Sequence, residues 1–230
     1  ILRDYCGNVS AHLPINGQVQ HGWVVPGHYA IVSHDTERDA AWVWSERDWP
    51  EGQKRGAVIG APYLYLPTNS ASLRHTRSLL AIPMHGIAKH PMVWPWDEYA
   101  SWLAQAANER EMGIVTVCLH PADYDNGYHM FVERGIRVVT AAPGGATASF
   151  LYQCRSFIRQ HDHVTSNRIG TALFYAAYEG RKVFIDGPLM GTNPPDRGEE
   201  ITGDMDWTRE HYPGFFDGAH PALARQHAHD

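Results

Sequence analysis

Residues His163 to Gly187 constrain the fold more tightly than any other stretch of this chain. The run His-Val-Thr-Ser-Asn-Arg-Ile-Gly-Thr-Ala-Leu-Phe-Tyr-Ala-Ala-Tyr-Glu-Gly-Arg-Lys-Val-Phe-Ile-Asp-Gly reads as a short strand, a polar turn, a helix over Arg168–Glu179, a glycine stop and an apolar strand over Lys182–Ile185. Strands joined through a helix run parallel, because a hairpin cannot contain the crossover. Ser166 and Asn167 are expected where the helix begins. Four backbone N–H groups there lack helical partners, and the positive end of the helix dipole favours an anion such as phosphate.

The same alternation extends back through the chain. Ser78–Pro83 is predicted as a strand, Trp96–Glu111 as an amphipathic helix with Tyr99, Leu103 and Ala106–Ala107 on one side, and Gly113–Leu119 as a fully buried strand. Ala122–Arg134 is predicted as a helix stopped by Gly135, Ile136–Thr140 as a strand and Thr147–Gln160 as a helix. Nearer the start, Gln18–Val25, Asp39–Trp44 and Ala57–Gly60 read as strands, and Glu46–Arg55 as a short charged helix. Pro67–Ser72 is rich in Pro, Thr, Asn and Ser and is the expected linker between a partial first domain, residues 1–70, and a larger second domain, residues 71–230. The predicted class is α/β, with a parallel Rossmann-type sheet covered by helices on both faces. Neither an internal repeat nor a Gly-x-Gly-x-x-Gly fingerprint occurs.

Open parallel sheets bind ligands beyond the carboxyl ends of their strands. Those ends carry His21, Ser45–Glu46, Met84-His85-Gly86, His120-Pro121, Ala141–Gly145, Ser166-Asn167 and Asp186-Gly187, a concentration of polar and glycine residues. His21 is followed by Gly22, which lets the backbone approach a ligand, and an imidazole can accept a proton near neutral pH. Pro121 suits the first turn of a helix, which places His120 beside a helix N-terminus. Gly144 and Gly145 can offer bare backbone N–H groups to phosphate. Each residue also has an ordinary structural use: a turn histidine, a strand-to-helix junction, a helix cap or a flexible turn.

Composition narrows the classes. With 43% hydrophobic and 19% charged residues the chain is an ordinary globular protein. A net charge of −6 argues against a general nucleic-acid binder. Three scattered cysteines, Cys6, Cys118 and Cys154, form no CxxC pair, so reduced thiols are expected rather than a disulfide framework or a zinc knuckle. His161 and His163 have no third ligand in sequence, and no metal site is expected. No apolar run reaches the roughly 20 residues that span a bilayer. The first residues carry Arg3 and Asp4 without an apolar core, so no cleavable leader is expected. Eight tryptophans are compatible with stacking on sugars, although core packing is their commoner use.

Taken in order, these motifs resemble the GT-B glycosyltransferases of bacterial surface-polysaccharide assembly, capsule and lipopolysaccharide. Gln20-His21-Gly22-Trp23 resembles the acceptor-side motif of that group, and Trp42–Trp49 followed by Ala57–Tyr65 its stretch before the interdomain crossing. His120-Pro121 and Ser166-Asn167 resemble the HP and Ser-Ser/Ser-Thr motifs of bacterial sialyltransferases and Kdo transferases, with Asn167 standing where that pattern has a second hydroxyl. Gly180–Gly187 resembles the strand that closes the donor domain.

The resemblance implies sugar transfer from a nucleotide sugar, a CMP-sugar foremost, to a glycan or glycolipid acceptor. It implies no separate cofactor and no metal, with the enzyme in the cytoplasm or in peripheral contact with the inner membrane. His21 would be the general base; His85, Gly86, His120, Pro121, Gly144, Ser166, Asn167 and Gly170 would bind the donor and its phosphate. A sugar-nucleotide epimerase of related fold, a noncatalytic glycan-binding protein or degenerate transferase, and a histidine-metal hydrolase are the alternative readings.

Overall fold

The computed structural model describes residues 18–20, 22, 41–49, 56–67, 74–85, 95–141, 149–189, 204–216 and 222. The chain divides into two compact units, Ile1–Ser70 and Ala71–Asp230.

In the first unit, β1 (Gln18–Val19), β2 (Ala41–Val43) and β3 (Gly56–Val58) form a parallel sheet in that order. Ala41 and Val43 are buried on one side of β2, with Trp49 packed against them. The predicted helix over Glu46–Arg55 is corrected within the described residues. Only Glu46–Asp48 form a helical turn, of 3-10 type, and Trp49 is already extended.

The second unit is built on five parallel strands: β4 (Ser78–Ala81), β5 (Ile114–Cys118), β6 (Arg137–Val139), β7 (His163–Ser166) and β8 (Lys182–Ile185). Their spatial order is β6-β5-β4-β7-β8. The chain thus starts at the centre, builds outward through β5 and β6, then returns beside β4 and builds outward the other way. The topological switch point lies between β4 and β7. The crossovers are α1 (Trp96–Glu109), α2 (Pro121–Val132), α3 (Phe150–Gln160) and α4 (Thr171–Tyr178).

Each helix has a local cause. Pro121 opens α2 with His120 as its cap, and Gly135 supplies the left-handed turn after it, at φ 70°. α1 ends at Glu109 rather than Glu111, because Glu111 itself turns left-handed. All four residues of β4 are buried, so both faces of the sheet are covered. On one face Leu79 and Ala81 join Tyr99 and Leu103 of α1 and Phe131 of α2 in the main apolar cluster. α3 and α4 pack on each other, and α4 lies against β7 and β8. Thr116 of β5 meets His161 there at 2.9 Å.

Arg155 of α3 donates to Glu179, at the end of α4, at 2.6 Å, and Arg159 approaches the same carboxylate at 3.4 Å. Both Arg155 and Glu179 are almost wholly buried. A further helix, α5 (Met205–His211), and a 3-10 turn (Pro213–Phe215) follow, with Phe215 wholly buried against Phe174. Among the described residues, no helix is long and apolar enough to cross a membrane.

The predicted start of the fourth crossover helix is also corrected. α4 begins at Thr171, not Arg168, and its cap is Gly170 in an extended conformation. Ile169 is only 4% exposed, within the four residues that separate the end of β7 from the start of α4. Ser166 is the last residue of β7 and Asn167 follows it, so neither stands at the first turn of α4.

Candidate functional site

Two expected site residues of the larger unit, His85 and His120, meet at the carboxyl edges of β4 and β5, and a third, Ser166, ends the neighbouring strand β7. Backbone bonds carry the ladders past the strands: Ile82 N donates to Thr165 O at 2.8 Å and Asp186 N to Ser166 O at 3.1 Å. The loops after β4, β7 and β8 are therefore launched from a fixed edge.

His120 sits at the end of β5. Its Nδ1 accepts from the Ala122 amide at 3.2 Å, capping α2, which leaves the ring proton on Nε2 as a donor. The ring of His85, after β4, stacks on it with centroids 4.2 Å apart and planes 10° apart. Burial, with the charge of His85 second, pushes His120 down to about 4. His120 is consequently a neutral hydrogen-bond donor at neutral pH, not a cation. The two rings face one another rather than converging edge-on, and among the described residues no group of three or more His, Cys, Asp or Glu gathers in a way that could hold a metal ion.

Ser166 is buried, and the Arg168 amide points to its Oγ at 3.5 Å. Asn167 is wholly buried and its amide is engaged on both sides, by the Met84 amide and the Pro188 carbonyl. Gly170 caps α4 without a side-chain bond, and Pro121 occupies the first turn of α2. His21, Gly86 and Gly144 lie outside the described residues. Arg168 is a cation that sequence reasoning passed over. Among the described residues of these strand-end loops it alone carries positive charge, and its place between Ser166 and Gly170 was the available signal.

In the smaller unit the carboxyl end of β1 is held by Gln20, which is 2% exposed. Gln20 Oε1 accepts from the Trp44 amide at 2.7 Å; its Nε2 donates to Gly22 O at 2.9 Å and to Asp48 Oδ2 at 3.2 Å. The Trp44 indole donates to Gln20 O at 3.1 Å. One buried amide thus binds the chain on the far side of His21 and ties it to the end of β2. Sequence reasoning read this motif for its histidine and missed the glutamine.

Buried histidines give the fold an acid limit. His161 is 2% exposed and hydrogen-bonded to Phe157 O and Thr116 Oγ1; burial foremost holds it, like His163 and His120, below the ordinary histidine range. The unfolded chain takes up these protons near pH 6.5 while the folded chain resists, so stability present above that pH is lost as pH falls toward about 4. While His161 is protonated only in the unfolded state it contributes a slope of about 1.4 kcal/mol per pH unit. Urea unfolding between about pH 7 and about pH 5 is expected to show a steadily falling free energy. A flat profile would contradict the buried neutral rings.

Comparison with protein-family models, with curated proteins and with solved structures finds no match for this chain.

Proposed function

We propose that the protein is a glycosyltransferase of GT-B type that moves a sugar from a nucleotide-activated donor, a CMP-sugar foremost, to a surface-polysaccharide or lipid-linked acceptor. The observation that carries this reading is the stack of His85 on His120 at the carboxyl edge of β4 and β5, beside the switch point between β4 and β7 in a parallel sheet ordered β6-β5-β4-β7-β8.

In this reading the donor phosphate lies over the carboxyl edge of β4, β5 and β7. His120 Nε2–H donates to a phosphate oxygen, Ser166 and the α4 terminus at Gly170 add further donors, and Arg168 supplies the positive charge that neutral His120 lacks; Gly86 and Gly144 are the further donors that the sequence offers. Pro121 fixes the first turn of α2 and with it the angle of His120. The acceptor hydroxyl oxygen bonds to the anomeric carbon, its proton passes to a general base, for which the sequence offers His21, and the bond from that carbon to the donor phosphate oxygen breaks. The leaving nucleotide carries the electron pair, and the fixed donors stabilise the charge that builds on it. The location that goes with this reading is the cytoplasm, with peripheral contact at the inner face of the membrane where the acceptor is lipid-linked.

A thermal-shift series with CMP, UDP, GDP and CDP tests the donor half. A nucleotide at a hundred times its Kd stabilises the native state by about 2.7 kcal/mol, so one of the four is expected to raise the unfolding temperature by several degrees. No shift with any of them would remove the reading. Release of free nucleotide only when an acceptor is present would then distinguish transfer from epimerisation.

A further inference from the structure

One side chain ties the carboxyl edge of the larger sheet together. Asn167 Oδ1 accepts from the Met84 amide, in the loop after β4, at 2.9 Å. Its Nδ2 donates to the Pro188 carbonyl, in the loop after β8, at 3.0 Å. Met84 leads directly into His85, which stacks on His120, and His120 caps α2. Contacts therefore run unbroken from the loop after β8, across β7 and β4, to the helix that follows β5.

We infer that Asn167 is a positioning residue, which fixes Met84 at the switch point and so sets the His85–His120 ring stack, rather than a residue that touches ligand. Three physical points support this. The amide can serve both partners in one orientation only, because a flipped amide would set its NH2 against the Met84 N–H, donor against donor. The side chain is wholly buried beneath those partners, so a phosphate could reach it only by displacing them. Finally, a ring stack contributes about 0.5–1.5 kcal/mol. Ordering the backbone of one residue costs about 1–2 kcal/mol. The stack alone does not offset that cost, and the Met84 bond adds a backbone constraint one residue before His85.

The Pro188 bond adds a consequence: displacement of the loop after β8 is transmitted to the histidine pair across two strands. The catalytic meaning of this arrangement rests on the glycosyltransferase reading; the arrangement itself does not.

The test is an NMR titration of the His120 ring in the full chain, without nucleotide, the signal being identified by its loss in His120→Asn. In the wild type His120 is expected to protonate at about 4. Asn167→Ser and His85→Ala both expose the ring, and each is expected to raise its proton affinity about tenfold or more, since one pKa unit is a factor of ten. His161, held by α3 and β5, is expected to keep its titration in both, which separates a local change from general loosening. A folded Asn167→Ser chain with His120 unmoved would overturn the inference, as would an unmoved His120 in His85→Ala. Should the Asn167 variant not fold, hydrogen exchange of the Met84 amide in the wild type decides. Protection of about a hundredfold or more supports the clamp, and exchange at the free-peptide rate overturns it. Failure of the glycosyltransferase reading would show separately, as wild-type protein that binds none of the four nucleotides.

Discussion

Replacing Glu179 by Ala is expected to lower the unfolding free energy by about 3–5 kcal/mol, a large part of the stability of a domain this size. The carboxylate accepts from Arg155 at 2.6 Å and lies 3.4 Å from Arg159, and it joins α3 to the end of α4. Arg155 is 9% exposed at its side chain. Removing Glu179 therefore takes the carboxylate partner from a guanidinium that is almost wholly buried. Arg159, at 23% exposure, can turn outward and costs less. The pair itself is not a large net gain, because both charges lost their hydration on folding. Substituting both partners, as Arg155→Met with Glu179→Leu, is expected to recover most of the loss. Urea unfolding of the two singles and the double gives the coupling directly. If the double is as unstable as the sum of the singles, the buried pair is not the cause.

The second large effect concerns chemistry. If the protein transfers sugar as proposed, His120→Asn is expected to lower turnover by about a hundredfold to a thousandfold, the usual result of deleting one fixed donor to a charge that develops in the transition state. Asparagine is chosen over alanine because His120 has two tasks. Its Nδ1 accepts from the Ala122 amide and caps α2. Asparagine can take over that cap, whereas alanine would forfeit about 1 kcal/mol. Stability is thus expected to hold within about 1 kcal/mol while transfer is lost. Unchanged turnover in this variant would remove His120 from the mechanism and with it the main support for the donor site.

Much of this architecture is legible locally. The His120-Pro121 junction reads as the start of a helix because Pro fixes φ and lacks an N–H, and α2 does begin at Pro121. Gly113–Leu119 reads as a fully buried strand because it is almost wholly apolar; a strand does form, over Ile114–Cys118, but only its second half with Leu119 is buried, and Ile114 at its start is 37% exposed. The failures are equally specific. Ser166 and Asn167 have the chemistry of helix caps, yet Ser166 ends β7, the chain bends at Asn167 and Arg168 and buries Ile169, and Gly170 takes the cap. Glu46–Arg55 has helical composition, but Trp49 leaves the turn after three residues to pack against Ala41 and Val43.

The sequence by itself determined the alternation of strands and helices, the parallel sense of the sheet and the concentration of polar residues at strand ends. All of these follow from periodicity, capping and proline chemistry acting within a few residues. Only the tertiary structure decided which strand ends are neighbours. The order β6-β5-β4-β7-β8 brings His85 against His120, and Met84 against Asn167, which is 83 positions further along the chain. Those pairings depend on register and on which faces of the sheet are buried, quantities set by the packing of the whole unit. For the same reason Asn167 changes role. Its sequence context suggested an anion ligand, and its burial between two backbone partners makes it the clamp that aligns the site.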